Sequence, residues 1–276
     1  MQNLHTHTTF CDGKNTPEEM VRGAISLGLN SLGFSGHAPM AGPNEDWTMK
    51  DVAGYRREVL RLREKYTGQI EIFLGLEQDF DSPPQTGPWD YVIGSVHQVR
   101  KGDAWLSVDA SEEEFVRAAR EHYGGDFYAF AGDYYRLAGG VAERTGCQIV
   151  GHFDLITKFN EGDILFDTGH PRYVSAALQA LDRLAERDVV FEINTGAMSR
   201  GYRSAPYPAP ALLRAMWERD IPICITSDSH GADTLLHAFP QAAGLAWECG
   251  YREQMVLTRD GFVLTPLQWE AGRRRN

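Results

Sequence analysis

The sequence has few of the features that mark secreted or membrane-bound proteins. Its 276 residues include only four cysteines and no CxxC pair, which favours free thiols and suits a reducing compartment. No apolar run approaches the roughly 20 residues of a membrane helix. The opening stretch MQNLHTHT lacks the basic and apolar segments of a signal peptide, so we expect a cytoplasmic protein with no membrane partner.

Positive charge is also scarce. Lysine and arginine total 27 against 38 acidic residues, which gives a formal net charge of −11 at pH 7. An acidic surface disfavours polyanions, so no nucleic-acid partner is expected. The phosphate-binding patterns GxGxxG and GxxxxGK are absent, which counts against a doubly wound nucleotide-binding sheet.

The chain does contain a regular alternation of short apolar runs and amphipathic helical stretches. The first helical stretch, NTPEEMVRGAISLGL, has the capping box Thr16–Glu19 and a proline at its first helical position. About seven strand–helix units follow one another, and parallel strands need such crossovers. The sequence therefore predicts an α/β barrel that forms one domain over residues 1–276.

Side chains that can bind metals fall at or just beyond the carboxyl ends of the predicted strands. They are His5, His7, Asp12, His37, Glu77, His97, His152, Asp228 and His230. In a barrel these ends share one face, where barrel enzymes place their chemistry. Core packing gives no reason to gather so many titratable groups. Imidazoles mixed with carboxylates suit divalent zinc, manganese or iron.

Seven motifs occur in a fixed order along the chain: HTHTTFCDG, FSGH, GLEQDF, IGSVH, GHFDL, INTG and SDSH. This set resembles the PHP (polymerase and histidinol phosphatase) family over essentially the full length. The stretches DLITKF and NTGAMSRGYRSAPYPAP resemble its histidinol-phosphate phosphatase branch. The resemblance implies a distorted (β/α)7 TIM-like barrel with three divalent metal ions. It also implies hydrolysis of L-histidinol phosphate to L-histidinol and phosphate in histidine biosynthesis.

The resemblance further implies how the ligands are divided among the three ions. His5, His7, Glu77 and Asp228 would hold the first, and Glu77 would bridge to a second that His97 and His152 complete. Asp12, His37 and His230 would hold the third. The chain departs from the family pattern at Gly13, where many relatives have histidine, and at Gly36, which is often acidic. The third site therefore depends on Asp12, and His37 lacks one potential hydrogen-bond partner.

Phosphate-monoester hydrolysis is among the slowest uncatalysed reactions, so the site has to lower a very large barrier. Metal ions do this by activating water and neutralising phosphate charge, and we expect attack by a metal-bound hydroxide. The phosphate of a small-molecule substrate also needs cations. Lys158 and Arg200 are the first candidates for phosphate binding and Arg203 is the third. No general acid is assigned.

Two alternatives stay open at this point. The first is another PHP-type phosphoesterase, a nucleotide phosphatase or a nuclease, although the acidic charge disfavours extended nucleic acid. The second is a metal-binding or partner-binding barrel without activity, which would have lost several ligands. The oligomeric state is expected to be a monomer or a homodimer.

Overall fold

The computed structural model describes residues 1–267, which alternate between strands and helices. The strands are β1 (Gln2–Asn3), β2 (Ser31–Phe34), β3 (Glu71–Asp79), β4 (Tyr91–Ser95), β5 (Gln98–Lys101), β6 (Ala104–Ser107), β7 (Ile149–Val150), β8 (Val190–Asn194), β9 (Ile223–Thr226), β10 (Glu253–Thr258) and β11 (Gly261–Pro266). The helices are α1 (Pro17–Ser26), α2 (Val52–Lys65), α3 (Glu112–Tyr123), α4 (Phe127–Ala138), α5 (Val141–Thr145), α6 (Pro171–Ala185), α7 (Gly196–Ser199), α8 (Pro210–Trp217) and α9 (Phe239–Glu248). The predicted domain over residues 1–276 also includes 268–276, which lie outside the described residues.

Seven strands form one parallel sheet in the order β1-β2-β3-β4-β7-β8-β9. Its two edges meet just beyond β1 and β9, where Thr6 and Ser229 form a parallel bridge. There the His7 amide donates to the Ser229 carbonyl at 2.8 Å, and the Ser229 amide donates to the His5 carbonyl at 3.1 Å. The sheet is therefore a nearly closed barrel, which confirms the predicted TIM-like α/β fold.

Helix starts follow the signals in the sequence. In α1 the Glu19 amide donates to the Thr16 hydroxyl at 3.3 Å, and the Glu19 carboxylate accepts from the Thr16 amide at 2.8 Å. This reciprocal capping box satisfies two otherwise unpaired amides of the first turn. Met20, Val21 and Ala24 recur at helical spacing and are buried against the sheet side of the helix.

Two antiparallel hairpins interrupt the alternation and were not predicted. One joins β5 to β6, and the other joins β10 to β11. In the second hairpin Leu257 is buried with the barrel residues Leu4, Tyr91 and Val190, while Met255 packs against the same cluster. Tyr91 and Val190 are the first residues of β4 and β8, and the Leu257 amide donates to the side chain of Gln2, the first residue of β1. The hairpin therefore covers the amino-terminal end of the barrel and leaves the carboxyl ends of the strands for the site.

Two expectations from composition concern cysteines and membrane helices. Cys11, Cys147, Cys224 and Cys249 are all free thiols, as their spacing predicts. Within residues 1–267, no helix combines the length and apolar character needed to cross a bilayer.

Candidate metal centre

The carboxyl ends of the barrel strands gather all nine predicted ligand side chains. Four overlapping groups have ligand atoms within 4.8 Å of one another. These groups are His7–Asp12–His37–His230, His5–His7–Asp228, His5–Glu77–His152 and His37–Glu77–His97. The closure of the barrel between Thr6 and Ser229 brings the first and last motifs together.

Glu77 lies at the centre of the cluster and is almost fully buried. Its Oε1 lies 3.0 Å from His152 Nε2 and 3.4 Å from His97 Nε2. Its Oε2 lies 3.2 Å from His5 Nε2 and 2.8 Å from His37 Nδ1. The two oxygens of one carboxylate thus face different sets of imidazoles, which is the geometry that a bridging ligand needs.

Asp12 occupies the outer side of the cluster. Its Oδ2 lies 3.0 Å from His230 Nε2, and its Oδ1 lies 3.7 Å from His37 Nε2. His37 reaches Glu77 through one ring nitrogen and Asp12 through the other. The family resemblance implies three separate ligand sets, but in this structure the sets share residues. His37 connects the Asp12 side of the cluster to the Glu77 side.

Unpaired polar atoms at this site test whether its residues fit divalent cations. His5 Nε2, His7 Nε2, Asp12 Oδ1 and Glu77 Oε2 are buried close to other polar atoms of the cluster, but none of the four makes a hydrogen bond of good geometry among the described residues. Burying polar atoms unpaired costs roughly 1–3 kcal/mol each, so their convergence at one point calls for an occupant. Imidazole nitrogens and carboxylate oxygens are the donors that zinc, manganese and iron prefer. The residues fit such ions.

Two carboxylates that the sequence analysis did not identify form hydrogen bonds with the ligand histidines on the side away from the cluster. Glu192 in β8 is buried, and its Oε2 accepts from His5 Nδ1 at 2.8 Å while its Oε1 accepts from the His152 amide at 2.7 Å. Asp79 Oδ2 lies 3.1 Å from His97 Nδ1 and accepts from the His97 amide at 2.8 Å. A carboxylate on one ring nitrogen directs the other nitrogen to the metal. Asp79 and Glu192 are acidic residues inside strands, in the stretches GLEQDF and EINTG, and this position is the feature of the sequence that could have identified them.

The protonation of the cluster follows from burial and neighbouring charge. Burial, with His230 and His37 nearby, lowers the pKa of His7 to about 3, so this imidazole is neutral and ready to bind a cation. Burial opposes the charge of Glu77, but the imidazoles of His37 and His5 hold its pKa well below the usual range. Burial opposes the charge of His37 and His97, but the charge of Glu77 raises the pKa of both imidazoles, that of His97 to about 10. A cation bound by these two side chains would take the place of their protons.

A depression of about 200 Å³ opens onto this cluster. Six of the nine ligand residues line it, together with Lys158, Arg200, Asp109, Trp47 and Tyr202 among others. The six are Asp12, His37, His97, His152, Asp228 and His230. His5, His7 and Glu77 lie beneath this surface and are 0–1% exposed. The cluster therefore has an inner, closed side and an outer side that a small ligand can reach.

Known proteins share this sequence pattern. Residues 3–196 match the model of the PHP domain. The chain belongs to the PHP family. A probable histidinol-phosphatase of Deinococcus radiodurans is 34% identical over 238 residues, which cover 82% of this chain and 85% of that protein. The histidinol-phosphatase of Bacillus subtilis is 27% identical over 85% of this chain and 95% of that protein.

A solved structure shows that the PHP barrel is shared as well. Histidinol phosphate phosphatase from Lactococcus lactis, in complex with zinc, L-histidinol and phosphate, superposes with a TM-score of 0.72. The superposition covers 95% of this chain and 98% of that chain, at 21% sequence identity. At this identity the similarity shows the common fold.

Gly13, which departs from the pattern that the family resemblance implies, has a steric reason in this chain. A Cβ atom at Gly13 would lie 2.4 Å from the Thr8 amide nitrogen and 2.5 Å from the His7 carbonyl carbon. Backbone atoms this close cannot move aside without displacing His7 itself. The turn from Thr8 to Gly13 is closed by the Gly13 amide, which donates to the Thr8 carbonyl at 3.1 Å. This tight turn places Asp12 alone beside His230.

Lys158 lies at the outer side of the PHP centre, as the phosphate-binding prediction requires. Its Nζ donates to the Asp109 carbonyl at 2.7 Å and lies 4.8 Å from the centre of the Tyr202 ring. The residue is 8% exposed, and burial lowers the pKa of its ammonium group. Lys158 is therefore a fixed cation at the edge of the pocket, and its role as a phosphate ligand stays a prediction.

Arg200 also lines the pocket, but it already has an anionic partner. Its Nη2 lies 3.0 Å from Asp228 Oδ2, and its Nη1 lies 3.0 Å from His230 Nδ1. Asp228 Oδ1 faces away from it, 3.1 Å from His7 Nε2. Arg200 therefore orients two predicted ligands, and the remaining N–H groups of its guanidinium are available for a phosphoryl oxygen.

Arg203, the third predicted phosphate ligand, is not brought to the pocket. Its Nη1 donates to the carbonyl of Thr157 at 2.9 Å and to the hydroxyl of the same residue at 2.5 Å. Its Nε lies 3.4 Å from Glu161 Oε2, and its side chain is only 10% exposed. These contacts turn the guanidinium into the neighbouring loop, and Arg203 is absent from the lining of the depression, so the structure favours a supporting position over direct contact with phosphate.

Proposed function

We propose that this protein hydrolyses L-histidinol phosphate to L-histidinol and phosphate. The observation that carries the proposal is that Lys158 and Arg200 face the same small depression as the imidazole–carboxylate cluster. Cations beside metal ligands suit the anionic end of a phosphate monoester. The 34% identity to a probable histidinol-phosphatase over most of both chains supports the choice of substrate.

Divalent cations at this site would be held by the groups around Glu77 and Asp12. His5 and His7 face both Glu77 Oε2 and Asp228 Oδ1, while His97 and His152 face Glu77 Oε1. Asp12, His37 and His230 form the outer group. When bound, such ions supply a water of lowered pKa, neutralise phosphate charge and stabilise the leaving oxygen.

The protein side chains prepare this chemistry by fixing the ligands. Glu192 and Asp79 each accept from the far ring nitrogen of an imidazole, so His5 and His97 direct their other nitrogen into the site. Arg200 holds one oxygen of Asp228 and leaves the other for the inner group. Ligands that are already oriented lose little entropy when the charge of the transition state develops.

Lys158 and Arg200 would receive the phosphate at the outer side of the cluster. Both are cationic near neutral pH and both line the depression, whose small volume favours a monoester over a polymer. Nucleophilic catalysis by the nearby thiol is disfavoured. Burial and the charge of Asp12 raise the pKa of Cys11 to about 12, so its thiolate is scarce at neutral pH.

Phosphate release from L-histidinol phosphate by the purified protein tests the proposal directly. We expect release that stops after chelation and returns when zinc, manganese or iron is restored. Nucleoside monophosphates and single-stranded DNA are assayed in parallel, because another PHP-type phosphoesterase would prefer one of these. Absence of release from L-histidinol phosphate by metal-loaded protein would contradict the proposal.

Two further properties belong to the proposal. We place the protein in the cytoplasm, because all four cysteines are free thiols, as in a reducing compartment. The oligomeric state is predicted to be a monomer or a homodimer. Sedimentation equilibrium of the metal-loaded protein distinguishes these two states from larger assemblies.

A further inference from the structure

Lys158 lies on a segment that has little regular structure to hold it. The segment consists of two short 3-10 turns, Leu155–Thr157 and Glu161–Asp163. The backbone bonds around the lysine are local, since its amide donates to the Leu155 carbonyl at 2.8 Å. Leu155, Ile156 and Phe159 are buried in the hydrophobic core, which attaches the segment to the barrel. The direction of the Lys158 side chain depends in addition on polar contacts, one of which is the bond from Nζ to the Asp109 carbonyl.

Residues 196–207, here called the strap, supply further contacts to the Lys158 turn. The strap leaves the end of β8 and returns to it, where the Asn194 amide donates to the Tyr207 carbonyl at 2.8 Å and the Tyr207 amide donates to the Asn194 carbonyl at 2.9 Å. It carries Arg200, which faces the pocket. It also carries Tyr202, whose ring lies 4.8 Å from Lys158 Nζ.

Arg203 joins the strap to both sides of the lysine. Its guanidinium donates to the carbonyl and hydroxyl of Thr157, the residue before Lys158, and pairs with Glu161, three residues after it. The same Glu161 accepts from the Ser204 amide of the strap at 3.1 Å. Several N–H donors in one plane can serve two acceptors at once, which a lysine at this position could not do.

We propose that Arg203 is a positioning residue of the phosphate site, which locks the Lys158 turn to the strap so that Lys158 and Arg200 face one phosphoryl group. The inference rests on the proposed function of the site. Arg203 touches no substrate. It acts by ordering the turn before the phosphate arrives, so that less conformational entropy is lost on binding.

A double-mutant cycle with Lys158 separates this role from direct contact. The variants are Arg203→Ala, Lys158→Ala and the double variant, and the probe is inorganic phosphate binding to metal-loaded protein. We expect Arg203→Ala to weaken phosphate binding by about fivefold to tenfold, within the range of coupled contacts. Added to Lys158→Ala, it should cause little further loss. An undiminished loss in the double variant, or no loss in the single variant, would overturn the proposal.

Hydrogen exchange of the segment provides a readout that needs no turnover. The Thr157 and Lys158 amides donate to the Asp154 and Leu155 carbonyls, so their exchange reports how firmly the turn is held. We expect faster exchange in Arg203→Ala. Thr157→Val should also speed exchange, because it removes the hydroxyl that accepts from Arg203 and donates to the Asp154 carbonyl. Unchanged exchange in Arg203→Ala would overturn the proposal.

Arg219 offers a matched control. It also joins a carboxylate and a carbonyl, with 2.8 Å to Asp182 Oδ1 and 2.8 Å to the Ala215 carbonyl, but it follows α8 and lies outside the pocket. Arg219→Ala should leave phosphate affinity and the exchange of the Lys158 turn unchanged. If the wild type binds phosphate but does not hydrolyse L-histidinol phosphate, the proposed function is wrong. The role of Arg203 is then still decided by the affinity for inorganic phosphate and by the hydrogen exchange of the Thr157 and Lys158 amides.

Discussion

Glu77 and His152 meet at 3.0 Å, between Oε1 and Nε2, while the other carboxylate oxygen of Glu77 lies 3.2 Å from Nε2 of His5. His5 and His152 come from opposite regions of the sequence, and one buried carboxylate lies between them. This arrangement makes Glu77 the point at which the inner groups of the candidate metal centre share a ligand. It also identifies the residue whose charge matters most to the site.

The protein is expected to contain about two to three divalent ions per chain, because nine side chains in four overlapping groups supply the ligands. Elemental analysis of the protein as isolated, and after reconstitution, checks this number. The same preparation treated with a chelator serves as the control. Fewer than about one ion per chain after reconstitution would contradict a site of this composition.

Glu77→Gln keeps the size of the side chain but removes the charge that offsets the cations. Activity should fall by at least about 100-fold, with loss of metal and retention of the fold. Phosphate release, metal content and circular dichroism are the measurements. Glu71→Gln is the matched control, because Glu71 is on the same strand and pairs with Arg259 at 2.8 Å, outside the site. Near wild-type turnover and metal content in Glu77→Gln would show that the bridging assignment is wrong.

Glu192→Gln tests a partner that only the structure identified. The variant loses the anionic acceptor for His5 Nδ1, so metal affinity should fall by about 10-fold to 100-fold. Titration with zinc in the presence of a competing chelator measures the change. An unaltered affinity would mean that the Glu192–His5 contact contributes to packing alone.

Arg200→Ala should raise KM strongly and weaken competitive inhibition by phosphate, because a guanidinium can donate two parallel bonds to phosphoryl oxygens. A fall in kcat is expected as well, because Arg200 also holds Asp228. Arg200→Lys should recover only part of the loss, since a point charge cannot reproduce the fork. The metal content of each variant separates loss of the phosphate contact from loss of the Asp228 orientation, since only the second should reduce metal binding. Unchanged KM and unchanged phosphate inhibition in Arg200→Ala would place the phosphate elsewhere.

Phosphate affinity should decline in alkaline solution at a lower pH than an ordinary lysine would cause. Burial lowers the pKa of Lys158 from 10.5, so the ammonium loses its proton earlier as the pH rises. The inhibition constant for phosphate, measured between about pH 7 and pH 10, should therefore increase at its upper end. In Lys158→Arg the cation stays charged and this increase should disappear. The same alkaline increase in both proteins would assign the titration to another group.

The sequence by itself determined the barrel and the identity of the nine candidate ligands. Strand–helix alternation requires parallel crossovers, and the carboxyl ends of parallel strands meet at one face, so the position of His152 or Asp228 after its strand was enough to place it there. The capping box of α1 was equally readable, since its two partners are three residues apart. The capping box depends on residues close together in the sequence, and the barrel depends on a strand–helix pattern that recurs along the chain, so both can be recognised without the structure.

Only the tertiary structure decided which side chains support the ligands and which cations reach the pocket. Glu192 is an acidic residue within an apolar strand, and its partners His5 and His152 are 187 and 40 residues away. Arg200 and Arg203 follow the same strand three residues apart, yet one faces the pocket and the other faces Thr157 and Glu161. The direction of a loop side chain depends on the partners that other loops bring to it. Those partners are distant in the sequence, and only the folded barrel brings them within hydrogen-bonding distance.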